Sequence, residues 1–205
     1  MPDSPETFVS RAGGKLAAAL DALEIDVSGR LCVDLGCNVG GFTDCLLQRG
    51  AARVYAVDTG YGTLAWKLRR DPRVVVMERT NALYCQPAEA VDLAVVDVGW
   101  TPQRLILPAA ARWLKPGGQI LSLLKPHYEA ADRAGPDQRA GRGGPSQHVL
   151  TSPQARQECL LTCQQLTADG WDIRDVVPSP LPGAGGNEEF LLHVYPSAQP
   201  PAAGP

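Results

Sequence analysis

Short runs of consecutive apolar residues alternate along this chain with longer stretches in which apolar positions return every three or four residues. The runs are 31–35 (broken only by Asp34), 53–57, 74–78, 91–96 and 119–124, each of the length and composition of a strand buried on both faces. Between and around them, 14–23, 42–49, a short piece through Trp66 and Leu68, 102–113 and a stretch opening at Ser152 carry helical spacing. Ser10 reads as the cap of the first helix, whose first turn then contains Lys15. Lys115-Pro-Gly-Gly118 reads as the stop of the 102–113 helix. Ser152 reads as the cap of the last helix, with Pro153 at its first position and Cys159, Leu160, Cys163 and Leu166 on its apolar face.

Strand alternating with helix implies a parallel sheet with right-handed crossovers. The last two strands, 171–177 and 190–195, are joined only by the Gly/Pro-rich turn 179–187, so the sheet should end antiparallel. The expected fold is α/β: a mostly parallel seven-stranded sheet with helices on both faces and an antiparallel last strand. One domain over 10–195 is expected, with disordered ends at 1–9 and 196–205. The Gly-, Pro- and Arg-rich stretch 129–147, with Arg133, Arg139 and Arg142, reads as a mobile loop or lid.

Charge narrows the partners. The formal net charge of −3 lacks the basic excess of a non-specific nucleic-acid binder, so any such contact should be a local patch. The six cysteines form neither a C-x-x-C pair nor a Cys/His ligand set, so reduced thiols and no metal site are expected. No apolar stretch is long enough to span a bilayer, and the first residues lack the regions of a signal peptide. A cytoplasmic protein is the resulting expectation.

The chemistry concentrates around Asp34-Leu-Gly-Cys-Asn-Val-Gly-Gly-Phe42, where a strand passes through a glycine-rich turn into a helix. Such a turn can bring backbone N–H groups to a small anionic or zwitterionic ligand. Asn38 stands where a dinucleotide fingerprint needs glycine, and Gly41 is followed by Phe42 instead of the lysine of a phosphate-binding loop. Asp58 closes the next strand, where an acidic residue can grip ribose hydroxyls. These parts suit an adenosyl cofactor without a pyrophosphate, S-adenosylmethionine; a turn that merely joins strand to helix is the bland alternative. Asp34, Gly36, Cys37, Asn38, Gly40, Gly41, Phe42, Asp58, Asn81 and Asp97 are the candidate cofactor residues, Asn81 because its amide could read an adenine edge. Asp97 and Lys125 occupy neighbouring strand tips, where opposite charges are costly unless paired or used.

Four motifs in order, Ser10-Arg-Ala-Gly-Gly-Lys-Leu16, Asp34-Leu-Gly-Cys-Asn-Val-Gly-Gly-Phe-Thr-Asp44, Lys125-Pro-His-Tyr-Glu129 and Gly186-Asn-Glu-Glu-Phe190, resemble the TlyA-type (hemolysin A-like) enzymes of the FtsJ-like group. That group comprises S-adenosylmethionine-dependent RNA ribose methyltransferases with a Rossmann-like class I methyltransferase fold. The resemblance spans about residues 8 to 195. It implies a catalytic tetrad of Lys15, Asp97, Lys125 and Glu189, with transfer of a methyl group to a cytidine 2′-hydroxyl of ribosomal RNA, on free RNA or on a ribosomal subunit, by a monomer.

Three departures stand out, the first being Asn81 where the FtsJ-like enzymes carry an acidic residue beside adenine. Val98-Gly99 replaces the family's usual Leu-Ser, and only nine residues precede Ser10 where relatives commonly carry a small RNA-binding domain. The expected mechanism makes Lys125 the general base, provided that burial and Lys15 lower its pKa, with Asp97 and Glu189 orienting the lysines. The competing readings are a cofactor-holding ribosome-assembly factor, a cytolysin, and a small-molecule methyltransferase.

Overall fold

The computed structural model describes residues 7–135 and 149–196. The disorder expected before residue 7 and after 196, and most of the 129–147 stretch with Arg139 and Arg142, lie outside the described residues. Seven strands form one sheet: β1 (Leu31–Leu35), β2 (Arg53–Val57), β3 (Val74–Met77), β4 (Val91–Val96), β5 (Leu114–Leu124), β6 (Trp171–Pro178) and β7 (Phe190–Pro196). Their order is β3-β2-β1-β4-β5-β7-β6. The first five are parallel, while β7 pairs antiparallel with both β5 and β6; the link from β6 to β7 holds only a single 3₁₀ turn, Ala184–Gly186, too short for a parallel crossover.

Helices α1 (Arg11–Ala22), α2 (Gly41–Gln48) and α3 (Trp66–Arg69) pack on one face. On the other lie α4 (Gln103–Ala111) and α6 (Ser152–Ala168), while α5 (Pro126–Arg133) packs against α6. Parity explains the division: Val33, Leu35, Val57, Ala94 and Val96 point to the second core, and Cys32, Val54, Ala56, Leu93 and Val95 to the first. Both faces being covered, the parallel strands read as continuous apolar runs.

Several boundaries differ from the sequence reading. Helix α1 begins at Arg11, three residues before the expected start at residue 14, so Lys15 lies in its second turn and is buried. Residues 7–9, assigned above to a disordered lead, are anchored: Phe8 lies over Gly13, and Asp44 accepts the Val9 N–H at 2.8 Å. Lys115 to Gly118 do not end a helix; they are the first part of β5, because α4 has already stopped at Ala111 and Val91 pairs with Leu114. Residues 129–133 are not loop but the second half of α5, where Glu129 is buried. The cap of α6 is Thr151, which forms a capping box with Gln154, and Leu160 faces solvent while Ala155, Cys159, Thr162 and Leu166 are buried.

Candidate active site

The carboxyl ends of β1, β4 and β5 meet at a cavity of about 280 Å³ lined by residues that include Ser10, Asp34, Gly36, Asn38, Phe42, Asp97 and Lys125. This is the topological switch point of the sheet: β1 leads outward to β2, and β4 leaves in the other direction. Of the candidate cofactor residues, Cys37, Gly41 and Asp97 also border it. Asp58, Gly40 and Asn81 stand outside its lining.

The glycine loop is shaped by the protein itself as much as for a ligand. Gly36 has φ +91°, and a Cβ there would come within 2.5 Å of the Asp97 carbonyl oxygen. A Cβ on Gly40 would overlap Leu64 and Leu68, and one on Gly41 would overlap the Ser10 hydroxyl. The close approach expected from a ligand is thus made at these three positions by β4, α3 and the start of α1.

Asp58 accepts the Asn38 N–H at 2.9 Å and the Gly60 N–H at 2.7 Å, so it fixes the loop from behind while part of its surface remains open. Asn81 is exposed, and its Oδ1 accepts the Leu83 N–H at 2.9 Å, which ties up the acceptor proposed to read adenine.

Asp34 is the least ordinary group of the loop. It has no exposed surface, and its Oδ2 accepts the Thr43 N–H at 2.9 Å and the Thr43 hydroxyl at 2.6 Å. Its Oδ1 is buried without a partner among the described residues. Burial pushes its pKa up to about 7; the Thr43 hydrogen bonds work against this, and the negative charges of Asp97 and Asp58 add to it. Two carboxylates, Asp34 and Asp97, on the wall of one cavity favour a cation, and an orphaned carboxylate oxygen on that wall calls for an N–H donor. The residues therefore fit S-adenosylmethionine, whose ammonium group Asp34 would meet and whose ribose the partly open Asp58 would hold.

The resemblance placed Lys15, Asp97, Lys125 and Glu189 in one tetrad, and the fold brings them together from four separate elements. Lys125 Nζ is 2.5 Å from Asp97 Oδ1 and 3.2 Å from the Val98 carbonyl oxygen. Lys15 Nζ is 2.5 Å from Glu189 Oε2, and both side chains are buried. Glu189 leads into β7 beside the tip of β5, where its charge also reaches Lys125. It fits there because residue 183 is glycine: a Cβ would collide with the Glu189 carboxylate.

The expected depression of the Lys125 pKa is not found. Burial alone would lower it, but the carboxylate of Asp97, and more weakly Glu189, outweigh burial and hold it above its ordinary value. Lys15, the cation invoked to lower it, is neutralised by Glu189.

Thr43, Tyr128, Trp100 and Gly183 were missed by the sequence reading. Thr43 was legible, being one turn into the helix after the loop. Tyr128 stacks on the exposed Trp100 at 5.0 Å between centroids, and its ring centre is 5.9 Å from Lys125 Nζ. Only the distance of Tyr128 from Lys125 in sequence hinted at this.

A seven-stranded sheet with this order and this switch-point cavity defines a Rossmann-like methyltransferase. The FtsJ-like methyltransferase family model matches residues 8–195, and the chain belongs to that family. It is an S-adenosylmethionine-dependent methyltransferase. It is 43% identical over 194 residues to the 16S/23S rRNA (cytidine-2′-O)-methyltransferase TlyA of Mycobacterium tuberculosis, covering 93% of this chain and 69% of that one. Hemolysin A of Brachyspira hyodysenteriae is 34% identical over 192 residues, covering 91% and 76%. Among solved structures, a Streptococcus thermophilus protein bearing the hemolysin name superposes with a TM-score of 0.81 at 36% identity, over 96% of this chain and 70% of that one.

Proposed function

We propose that this protein transfers the methyl group of S-adenosylmethionine to a ribose 2′-hydroxyl of ribosomal RNA, with cytidine as the target nucleotide. The observation that carries the reading is the pair of lysine–carboxylate contacts, Lys125–Asp97 on the wall of the cofactor cavity and Lys15–Glu189 behind it, whose carboxylate charge reaches Lys125. The naming of the M. tuberculosis relative supports the nucleotide and the RNA.

The bound cofactor supplies a methyl carbon on a sulfonium, already activated for in-line displacement. Positioning is the protein's main contribution and can supply roughly 7–11 kcal/mol when the reacting atoms are aligned at ~3–3.5 Å. Gly36 lets the loop pack directly on the Asp97 backbone, so cofactor wall and catalytic carboxylate are built against each other. Lys125, held by Asp97 and the Val98 carbonyl, takes up the attacking hydroxyl and removes its proton once it has lost its own. Because its resting form is the ammonium, this base is in short supply at neutral pH. Lys15 compensates Glu189 and holds β7 against α1.

Among the described residues no helix is long and apolar enough to cross a membrane. The test is methyl transfer from labelled cofactor to ribosomal subunits and to naked ribosomal RNA, followed by digestion to nucleosides. Label in 2′-O-methylcytidine is the expected result, with subunits preferred. Label on a base, on a small acceptor or nowhere refutes the reading.

A further inference from the structure

The motif Lys125-Pro-His-Tyr-Glu129 contains a second charged residue that the reaction does not use. Glu129 is buried in α5, and its Oε1 accepts the N–H of Gln103, the first residue of α4, at 2.9 Å. Gln103 is buried as well. Its Oε1 accepts the Ser122 hydroxyl at 2.6 Å, and its Nε2 donates to the Leu123 carbonyl at 3.2 Å.

Gln103 therefore sits between two elements that carry catalytic groups. Behind it in the chain is the loop 97–102, which starts at Asp97 and offers the Val98 carbonyl to Lys125. Beside it is the end of β5, two residues before Lys125, and Glu129 joins it from the helix that Lys125 opens. A buried carboxylate and a buried amide are expensive to keep in a core unless fully bonded, and here every bond is spent on holding this corner closed.

We propose that Glu129, acting through Gln103, is a positioning residue that fixes the loop bearing Asp97 against the strand and helix bearing Lys125. The inference rests on the methyl-transfer reading above. Glu129 touches neither cavity nor cofactor loop, so its effect belongs to the chemical step and not to cofactor binding. The groups facing it are Asp132 and Arg133 on its own helix, Arg104 on α4, and Glu158 and Cys159 on α6. Burial raises its pKa to about 7, so its charge changes within the working pH range.

The experiment compares Glu129→Ala, Glu129→Gln and Ser122→Ala with the unmodified chain in methylation of ribosomal subunits, with S-adenosylhomocysteine affinity measured separately by calorimetry. Glu129→Ala should lower kcat ~10–100-fold, the scale of a roughly 1 Å misplacement, with KM for both substrates and S-adenosylhomocysteine affinity unchanged. Glu129→Gln should restore most of kcat, because its amide oxygen accepts the same N–H, and should remove any inflection in the kcat–pH profile near neutrality. Ser122→Ala, which loses only the hydroxyl donor to Gln103, should show a smaller loss of the same kind.

Near-normal kcat in both Glu129→Ala and Ser122→Ala overturns the proposal. So does a loss in Glu129→Ala that falls on KM or on S-adenosylhomocysteine affinity, or one that Glu129→Gln does not rescue. If Glu129→Ala does not fold, Ser122→Ala and Glu129→Gln decide alone. Absence of methyl transfer by the unmodified chain refutes the functional reading itself, an outcome separate from these.

Discussion

The two halves of the sheet edge are built by different means. Toward β2, the cofactor wall is made of backbone: a short turn between β1 and α2 whose glycines are pressed against β4, α3 and α1, with Asp58 bonding its Asn38 N–H from behind. Toward β7, the catalytic corner is made of side chains delivered by α1, β4, β5 and the lead into β7, and held by two ion pairs. A wall built from contiguous backbone tolerates most side-chain changes and fails by strain. A corner built from charges fails by losing a partner.

The largest effect should come from the corner. Lys125→Ala should lower methyl transfer by ~10²–10⁴, the range of general-base catalysis, while leaving S-adenosylhomocysteine affinity nearly intact. Lys125→Arg should fail almost as badly, since arginine keeps the ion pair to Asp97 but cannot give up its proton. In the unmodified protein a base with a raised pKa is protonated at neutral pH, so the single-turnover rate should climb as pH rises into the alkaline range. A pH-independent rate, or a near-normal Lys125→Arg enzyme, removes Lys125 from the role of base.

The second effect is on stability. Lys15→Met leaves Glu189 buried and unpaired, and breaking such a pair from one side costs roughly 3–5 kcal/mol. Adding Glu189→Leu should recover much of that loss without recovering activity. Denaturant titrations of the two single variants and the double variant give the coupling directly; strictly additive losses contradict a mutually dependent pair.

How far these two regions could be read from sequence follows the same division. Strands 31–35, 53–57 and 91–96 were legible because burial on both faces leaves unbroken apolar runs, and the loop was legible because its residues are consecutive. The antiparallel ending was legible from the short Gly/Pro-rich turn at 179–187. What stayed hidden depends on tertiary contact. Ser10 was legible as the cap of α1, but the anchoring of residues 7–9 by Phe8 on Gly13 and by Asp44 on Val9 has no local periodicity to announce it. The run 115–118 reads as a helix stop, yet the pairing of Leu114 with Val91 of β4 draws it into the sheet. The rise of the Lys125 pKa depends on which lysine takes which carboxylate, and spacing along the chain carries no such information.

Asp34 sharpens the comparison from the cofactor side, because it is the one buried charge in a wall otherwise made of backbone. Its folded pKa of about 7 lies above the unfolded value of 3.8, so its contribution is fully present below about pH 4 and is lost as pH rises through about 7. The loss is on the order of 4 kcal/mol, of which a buried, unsatisfied asparagine amide would return about 1–3. Asp34→Asn should therefore gain stability relative to the unmodified protein as pH rises from 4 to 8, while binding S-adenosylmethionine more weakly. Thermal melts across that range check the first part. A stability difference that does not move with pH shows that Asp34 is not the titrating group.

The smallest effects separate the two residues that the sequence assigned to the adenosyl group. Asp58 gives one carboxylate oxygen to Asn38 N–H and the other to Gly60 N–H, so it braces the loop on which the cofactor would rest. Charge-assisted bonds of this type contribute about 1.5–3 kcal/mol each, and Asp58→Ala should weaken S-adenosylhomocysteine binding by at least tenfold. Asn81 spends its oxygen on its own turn at Leu83 and stands outside the cavity lining. An exposed side chain so engaged offers a ligand only its NH₂ group, and Asn81→Ala should change affinity by less than a single neutral hydrogen bond, about 0.5–1.5 kcal/mol. Calorimetric titration of the two variants ranks them. If Asn81→Ala costs as much as Asp58→Ala, the turn at 81–83 must open when the cofactor binds, and the wall is less rigid than its backbone construction implies.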